Sequence, residues 1–272
     1  MAAQYKSIHP VKYYRDFLAQ DVRPDGRTPD KTRTVTVNAN SISTSDGSAT
    51  VRIGNTTVIC GIKAELGKPK ADEPESGFVV PNVELPPLCS PCFRPGPPSE
   101  EAQVMTCFVA KATSGMVDLK QLGISLDNLA WVLHIDMICL DYDGCVQDAC
   151  VIALSTALRT VKLPKVDYDE DTKTPTVHLN QRTSVDVKSS PVSTSFAVFD
   201  EEIILSDPTA EEESLSSARL TVVTDGKSIF SVHKPGGSTL TEVQLQDCIS
   251  IAKERANLVN EMIRVAVGSV KR

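Results

Sequence analysis

Four histidines, His9, His134, His178 and His233, are scattered along the chain and form no spaced pair. Only His134 falls in a strong strand pattern, where imidazole serves more often as a hydrogen-bonded sheet residue than as an acid or base. Cys89 and Cys92 alone among eight cysteines have metal-ligand spacing. A structural zinc needs two more ligands, and neither a second Cys-x-x-Cys nor a paired histidine supplies them, so the two read as free loop thiols. Cys60, Cys107, Cys139, Cys150 and Cys248 sit among apolar neighbours, where a reduced thiol packs as a small hydrophobe; this predicts a reducing compartment. The acidic run Glu211, Glu212 and Glu213 reads as a solvated loop rather than a metal cluster. No activated-nucleophile pattern and no phosphate-cradling glycine loop is visible, so the sequence predicts no metal and no cofactor.

The chain that carries these residues has 272 residues, 41% of them apolar, enough to bury a sizeable core in one large domain or two closely packed lobes. A formal charge of -7 argues against a broad basic face for gripping nucleic acid and confines any such contact to a local patch. Lys6, Lys12, Arg15 and Asp21 interrupt the first thirty residues, and no later run reaches membrane length. The expectation is a soluble intracellular protein without leader or anchor.

Val11, Tyr14, Phe17 and Leu18 have helical spacing over residues 11 to 19, and the motif Arg23-Pro24-Asp25-Gly26-Arg27 then imposes a turn in an N-terminal strap. Strand patterns follow at Thr34 to Ser43 and Thr50 to Glu65, the second broken at Gly54-Asn55 as a hairpin would be. Repeated proline over residues 67 to 98 predicts extended, irregular chain. Ser99 with Glu100 and Glu101 should cap a helix that carries Ala102, Met105, Phe108, Val109 and Ala112 on one face. A strand from Leu129 to Leu140 turns at Asp141-Tyr142-Asp143-Gly144 into a helix whose buried side runs from Val146 to Val161. Pro164 and the acidic stretch Asp167 to Asp171 break the pattern until a strand near Thr176 to Val187, and a lobe boundary is placed there. A meander of four strands follows, at Val192 to Phe199, Glu202 to Ser206, Ala218 to Thr224 and Ser228 to His233, and a long helix after Gly236-Gly237 closes the chain. The class is α+β, two fused lobes of mixed sheets packed with helices, divided as residues 1–30 (helix and strap), 31–190 (first lobe) and 191–272 (second lobe).

Over nearly its whole length the chain resembles the RNase PH-like proteins. The likeness rests on Arg23-Pro24-Asp25-Gly26-Arg27, on the hairpin from Gly47 to Gly61 and on Leu140-Asp141-Tyr142-Asp143-Gly144. Within that family, the segments Val80 to Cys89 and Arg94 to Gln103, with His233-Lys234-Pro235-Gly236-Gly237, resemble eukaryotic exosome subunits related to the archaeal non-catalytic ring subunit. The resemblance implies the RNase PH-like fold. It also implies partners: other RNase PH-like subunits in a hetero-hexameric ring, RNA-binding cap subunits, an associated catalytic exoribonuclease, and RNA, with no membrane. The implied locations are nucleus, nucleolus and cytoplasm.

For chemistry, the resemblance implies two losses. Active relatives place a small hydroxyl residue and an arginine at the start of the helix after the Asp-Gly turn, where amides and the helix dipole favour a phosphate. The matching positions here are Val146, which offers no donor, and Gln147, which offers no charge. Active relatives also carry carboxylates in the second lobe; this chain keeps Asp207, but Arg219 stands where the last acid should be, removing a possible metal ligand or proton acceptor. The resemblance thus implies a non-catalytic ring subunit that scaffolds 3'-to-5' RNA processing and degradation and guides RNA through a central channel. The alternative is an active phosphate-dependent 3'-to-5' exoribonuclease whose groups have moved or are completed by a neighbour. Arg94, on a loop matching a channel-facing loop in relatives, is the candidate for the RNA path, against a surface arginine paired with Glu100 or Glu101.

Overall fold

The computed structural model describes residues 2–169 and 174–270. Its chain begins with α1 (Ala2–Ile8) and α2 (Pro10–Leu18); the first of these helices was not anticipated. The strands β1 (Val35–Ala39), β2 (Gly47–Ile53) and β3 (Thr56–Gly67) form an antiparallel meander that turns at Gly54-Asn55 as expected. β1 is shorter than the apolar pattern suggested because Asn40 adopts a left-handed conformation at its end.

The proline-rich segment is not wholly irregular. It contains β4 (Phe78–Glu84), which pairs in parallel with β6 (Leu129–Asp141). β4 lies at the sheet edge, the one place where Pro81 can sit without costing a ladder hydrogen bond. The first sheet thus has the order β1-β2-β3-β6-β4, with β5 (Gly123–Ser125) added beside β6. α3 (Glu100–Ala112) starts where Ser99 Oγ accepts from Ala102 N at 3.2 Å. Cys107, expected among apolar neighbours, is instead exposed on this helix.

α4 (Val146–Leu158) is buried nearly all round, as befits a helix laid between two sheets rather than on one. After it, β7 (Lys162–Asp169) and β8 (Thr174–Ser184) form a separate hairpin, so Pro164 does not end regular structure: a register irregularity beside it absorbs the missing donor. The acidic stretch assigned as a break is partly strand, and Asp171 lies outside the described residues.

The second sheet, β10-β9-β11-β12, is antiparallel throughout and comprises β9 (Val192–Phe199), β10 (Ile203–Ser206), β11 (Ala218–Thr224) and β12 (Ile229–His233). Between β10 and β11 the acidic run forms α5 (Ala210–Leu215) instead of a solvated loop. Thr209 Oγ1 accepts from Glu212 N while Glu212 Oε2 accepts from Thr209 N at 2.9 Å, a reciprocal capping box.

The lobes share one core. α6 (Glu242–Val270) inserts Ala256, Val259, Ile263 and Val267 into the same apolar cluster as Val51, Leu133 and Ile152 of the first lobe. At the other end of the chain, Tyr14 and Leu18 of α2 pack on Ala197, Phe199 and Leu205 of the second.

Candidate functional site

The turn between β6 and α4 is clamped by two other parts of the chain. Thr56 Oγ1 accepts from Asp143 N at 3.1 Å and donates to Gly144 O at 2.7 Å, tying the turn to the β2–β3 hairpin. Gly144 has φ +76°, and a Cβ there would meet Pro208 O at 2.6 Å and Thr209 C at 2.6 Å, so the β10–α5 connection touches its bare backbone. Cys145, also left-handed at φ 52°, precedes the helix and leaves no side-chain cap on it.

A cavity of about 300 Å³ opens at this point and is lined by Val146, Gln147, Glu213, Arg219, Tyr142 and Thr221 among others. The fold therefore brings into one cavity Val146 and Gln147, the two positions expected to match the phosphate clamp, and Arg219, the one expected to match the lost acid, although they are far apart in sequence. Val146 is buried in the first helical turn. Gln147 is half-buried, and its Oε1 accepts from Thr221 Oγ1 at 3.4 Å. Arg219 is well exposed and lies 3.7 Å from Glu213 Oε2. Glu213 Oε1 accepts from Cys145 N at 2.8 Å. Burial pushes the Glu213 carboxyl up, against the opposing pull of that amide and of Arg219.

Arg94 does not join this group. It is exposed and lines a separate hollow of about 770 Å³ formed by the proline-rich loop, with no carboxylate at ion-pair distance among the described residues. The pairing with Glu100 or Glu101 considered above is absent, although both glutamates line the two hollows. In the same loop Cys89 Sγ donates to Pro86 O at 3.0 Å, Cys92 is exposed, and both thiols are free. Among the described residues no group of three or more His, Cys, Asp and Glu converges as a metal cage would require. Of the histidines, only His233 lines the cleft, its ring 5.4 Å from that of Phe108.

Behind the cleft lies a buried charge network that sequence reasoning missed. Asp207, with no exposed surface, accepts from Arg33 N at 2.7 Å and Nε at 3.0 Å and through its other oxygen from Arg33 Nη2 at 2.8 Å. Burial alone would raise this carboxyl; the hydrogen bonds and charge of Arg33, with Arg255 nearby, hold it well below the ordinary carboxylate range. Asp148, at the front of α4, accepts from Arg255 Nη1 of α6 at 2.9 Å and from Ser195 N and Oγ of β9 at 2.9 and 2.8 Å. Arg23 of the strap is fully buried; it donates to Ser206 O at 2.7 Å and to Pro29 O, and pairs with Glu212 at 3.4 Å. The Arg-Pro-Asp-Gly-Arg motif is thus a clasp on the corner of the second lobe. Its visible sequence signal was the turn; its second-lobe partners Ser206 and Glu212, nearly two hundred residues away, left none.

Comparison with known proteins agrees with this architecture. Residues 31–164 match the first domain of the 3' exoribonuclease family, and residues 189–255 match the second. The chain is 41% identical to the exosome complex component rrp43 of Schizosaccharomyces pombe over 92% of this chain and 94% of that one. It is 36% identical to the exosome complex component Rrp42 of Thermococcus gammatolerans, covering 93% of each. A solved structure described as the Archaeoglobus fulgidus exosome with RNA bound to the active site superimposes with a TM-score of 0.82 at 32% identity, covering 92% of this chain and 96% of that chain. By its two matched domains, its full-length relatives and its shared fold, the chain belongs to the RNase PH, or 3' exoribonuclease, family.

Proposed function

We propose that this protein is a non-catalytic ring subunit of the RNA exosome, holding the 3'-to-5' RNA processing and degradation assembly together and guiding RNA through its channel. The names of its relatives as exosome complex components and the RNA-bound exosome of similar fold support the assembly. The observation that carries the inactivity is the cleft at the start of α4, where apolar Val146 and neutral Gln147 stand at the clamp positions and a glutamate carboxylate accepts the Cys145 amide. Phosphoryl transfer depends on positioning and neutralising a phosphate, and this arrangement provides a negative charge in that place. With Arg219 replacing the acid, both halves of the site are lost.

The partners are the other RNase PH-like subunits of a hetero-hexameric ring, cap subunits and a separate nuclease; the assembly works in nucleus, nucleolus and cytoplasm. In this scheme residues 1–30 are a strap, 31–190 the first lobe and 191–272 the second, a division supported by the two sheets. Arg94, exposed on the proline-rich loop, contacts the RNA backbone in the channel. The test is reconstitution. A ring containing this chain should assemble and thread RNA, the chain alone or with one partner should release no nucleoside diphosphate in phosphate, and a ring lacking it should fail to close. Phosphate-dependent release from the chain or its dimer would overturn the reading.

A further inference from the structure

Glu213 is placed with unusual specificity for a residue of an acidic run. The capping box of α5 uses its neighbour Glu212, so Glu213 is not needed to start that helix. Its side chain, 12% exposed, turns into the cleft instead. There one carboxylate oxygen accepts from Cys145 N at 2.8 Å, at the positive end of the thirteen-residue α4, and the other faces Arg219 Nη1 at 3.7 Å. A carboxylate taken from water is costly unless charge and hydrogen bonds offset that cost; here both are supplied and offset it in part, burial still holding the carboxyl above its ordinary value. An amide at a helix start and a guanidinium across the cleft together make a receptor for a small oxyanion, while the Ser195 and Thr221 hydroxyls on the wall are already donated to Asp148 and Gln147. Its occupant comes from the chain itself.

We infer that Glu213 is a resident anion that excludes inorganic phosphate, and the phosphates of RNA, from this cleft, with Arg219 as its counter-ion. The inference rests on the non-catalytic reading above and names the group that enforces it. A second anion would have to displace the carboxylate from Cys145 or lie against it, where like charges repel. Arg219 is therefore not only an acid lost. It belongs to a site whose polarity has been reversed, acid beside the helix start and base across from it.

Titration of the full chain with inorganic phosphate, followed by 31P line width and by calorimetry, tests this. Wild type should show no saturable binding. Glu213→Ala, which empties the place, should bind phosphate at least about tenfold more tightly than wild type, the gain expected for one charge-assisted contact freed. Glu213→Gln keeps an oxygen for the Cys145 amide and removes the charge, and should show part of the gain; adding Arg219→Ala to Glu213→Ala should abolish it. A folded Glu213→Ala that binds phosphate no better than wild type overturns the inference and leaves the non-catalytic reading intact. Should Glu213→Ala fail to fold, Glu213→Gln decides by the same criterion. Wild-type binding without turnover also sinks the exclusion role alone, whereas wild-type binding with release of nucleoside diphosphate sinks the non-catalytic reading as well.

Discussion

Asp207→Ala should be among the most damaging single substitutions in the chain, although no apolar contact is lost. The carboxylate it removes is fully buried and receives three hydrogen bonds from Arg33, which is itself only 8% exposed, while Arg27 lies 3.5 Å away. Truncation leaves the nearly buried Arg33 with only the part-exposed Asp143, at 3.4 Å, as counter-charge, and breaking a buried pair costs about 3–5 kcal/mol. For a chain of this size each kcal/mol moves the midpoint by roughly 2–4 °C, so the melting temperature should fall by about 6–20 °C. Urea denaturation and thermal melting of the purified protein measure this. Asp207→Asn, which keeps the shape and one acceptor, should lose less. Replacing the pair together, Arg33→Met with Asp207→Leu, should recover part of the loss, because it leaves no orphaned charge. A loss below about 1 kcal/mol for Asp207→Ala would refute the view that this network is a structural clasp. The pH dependence follows in sign: because the folded carboxyl is held below its ordinary value, its stabilisation is complete above the unfolded aspartate value near 3.9 and is lost only as pH falls from there toward the folded value.

Gly144→Ala should destabilise by at least about 2 kcal/mol, through strain at φ +76° and contact with Pro208 O, and should also disturb the start of α4 in amide-exchange measurements. Glu213 titrates in the opposite sense to Asp207: burial raises its folded value, so the native state takes up protons first and its contribution improves as pH falls through that value; Glu213→Gln should flatten this part of a stability-against-pH curve. Arg219→Asp should not produce phosphorolysis, since Val146 and Gln147 still offer no clamp; nucleoside diphosphate release by the variant would contradict the double loss. Arg94→Glu should weaken RNA crosslinking inside the assembled ring without changing the melting temperature, since the side chain is exposed and unpaired among the described residues.

Where structure is set by local rules, it was readable in advance. The Gly54-Asn55 turn, the alternation along β6, the Ser99 cap and the helical stripe of α6 all obey period and cap chemistry that need no partner. β4 escaped because an edge strand tolerates Pro81 and takes its order from β6, some fifty residues later. Pro164 masked β7 for a similar reason: a hairpin bulge accommodates it. α5 has a local signal in Thr209-Ala210-Glu211-Glu212, whose capping-box spacing competes with an acidic run that on composition alone reads as solvated. In the cleft, Val146, Gln147 and Arg219 were found by resemblance, and their meeting in one cavity required the fold. Asp148, Arg255, Arg33 and Glu213 could not be found this way, because a charged residue in sequence looks solvated until its distant partner is placed beside it.

The exchange of ends between the lobes bears on how the protein is made. On the ribosome the first lobe is finished well before α6, yet its core stays open to water until Ala256, Val259 and Ile263 arrive to cover it. Tyr14 and Leu18, among the earliest residues synthesised, wait in turn for Phe199 and Leu205. Neither lobe can mature as an independent unit, and a nascent chain stalled before α6 would present a broad apolar surface to chaperones and proteases. Quality control of this subunit therefore falls at its last helix, and trimming α6 should be read by the cell as a failure of the whole chain.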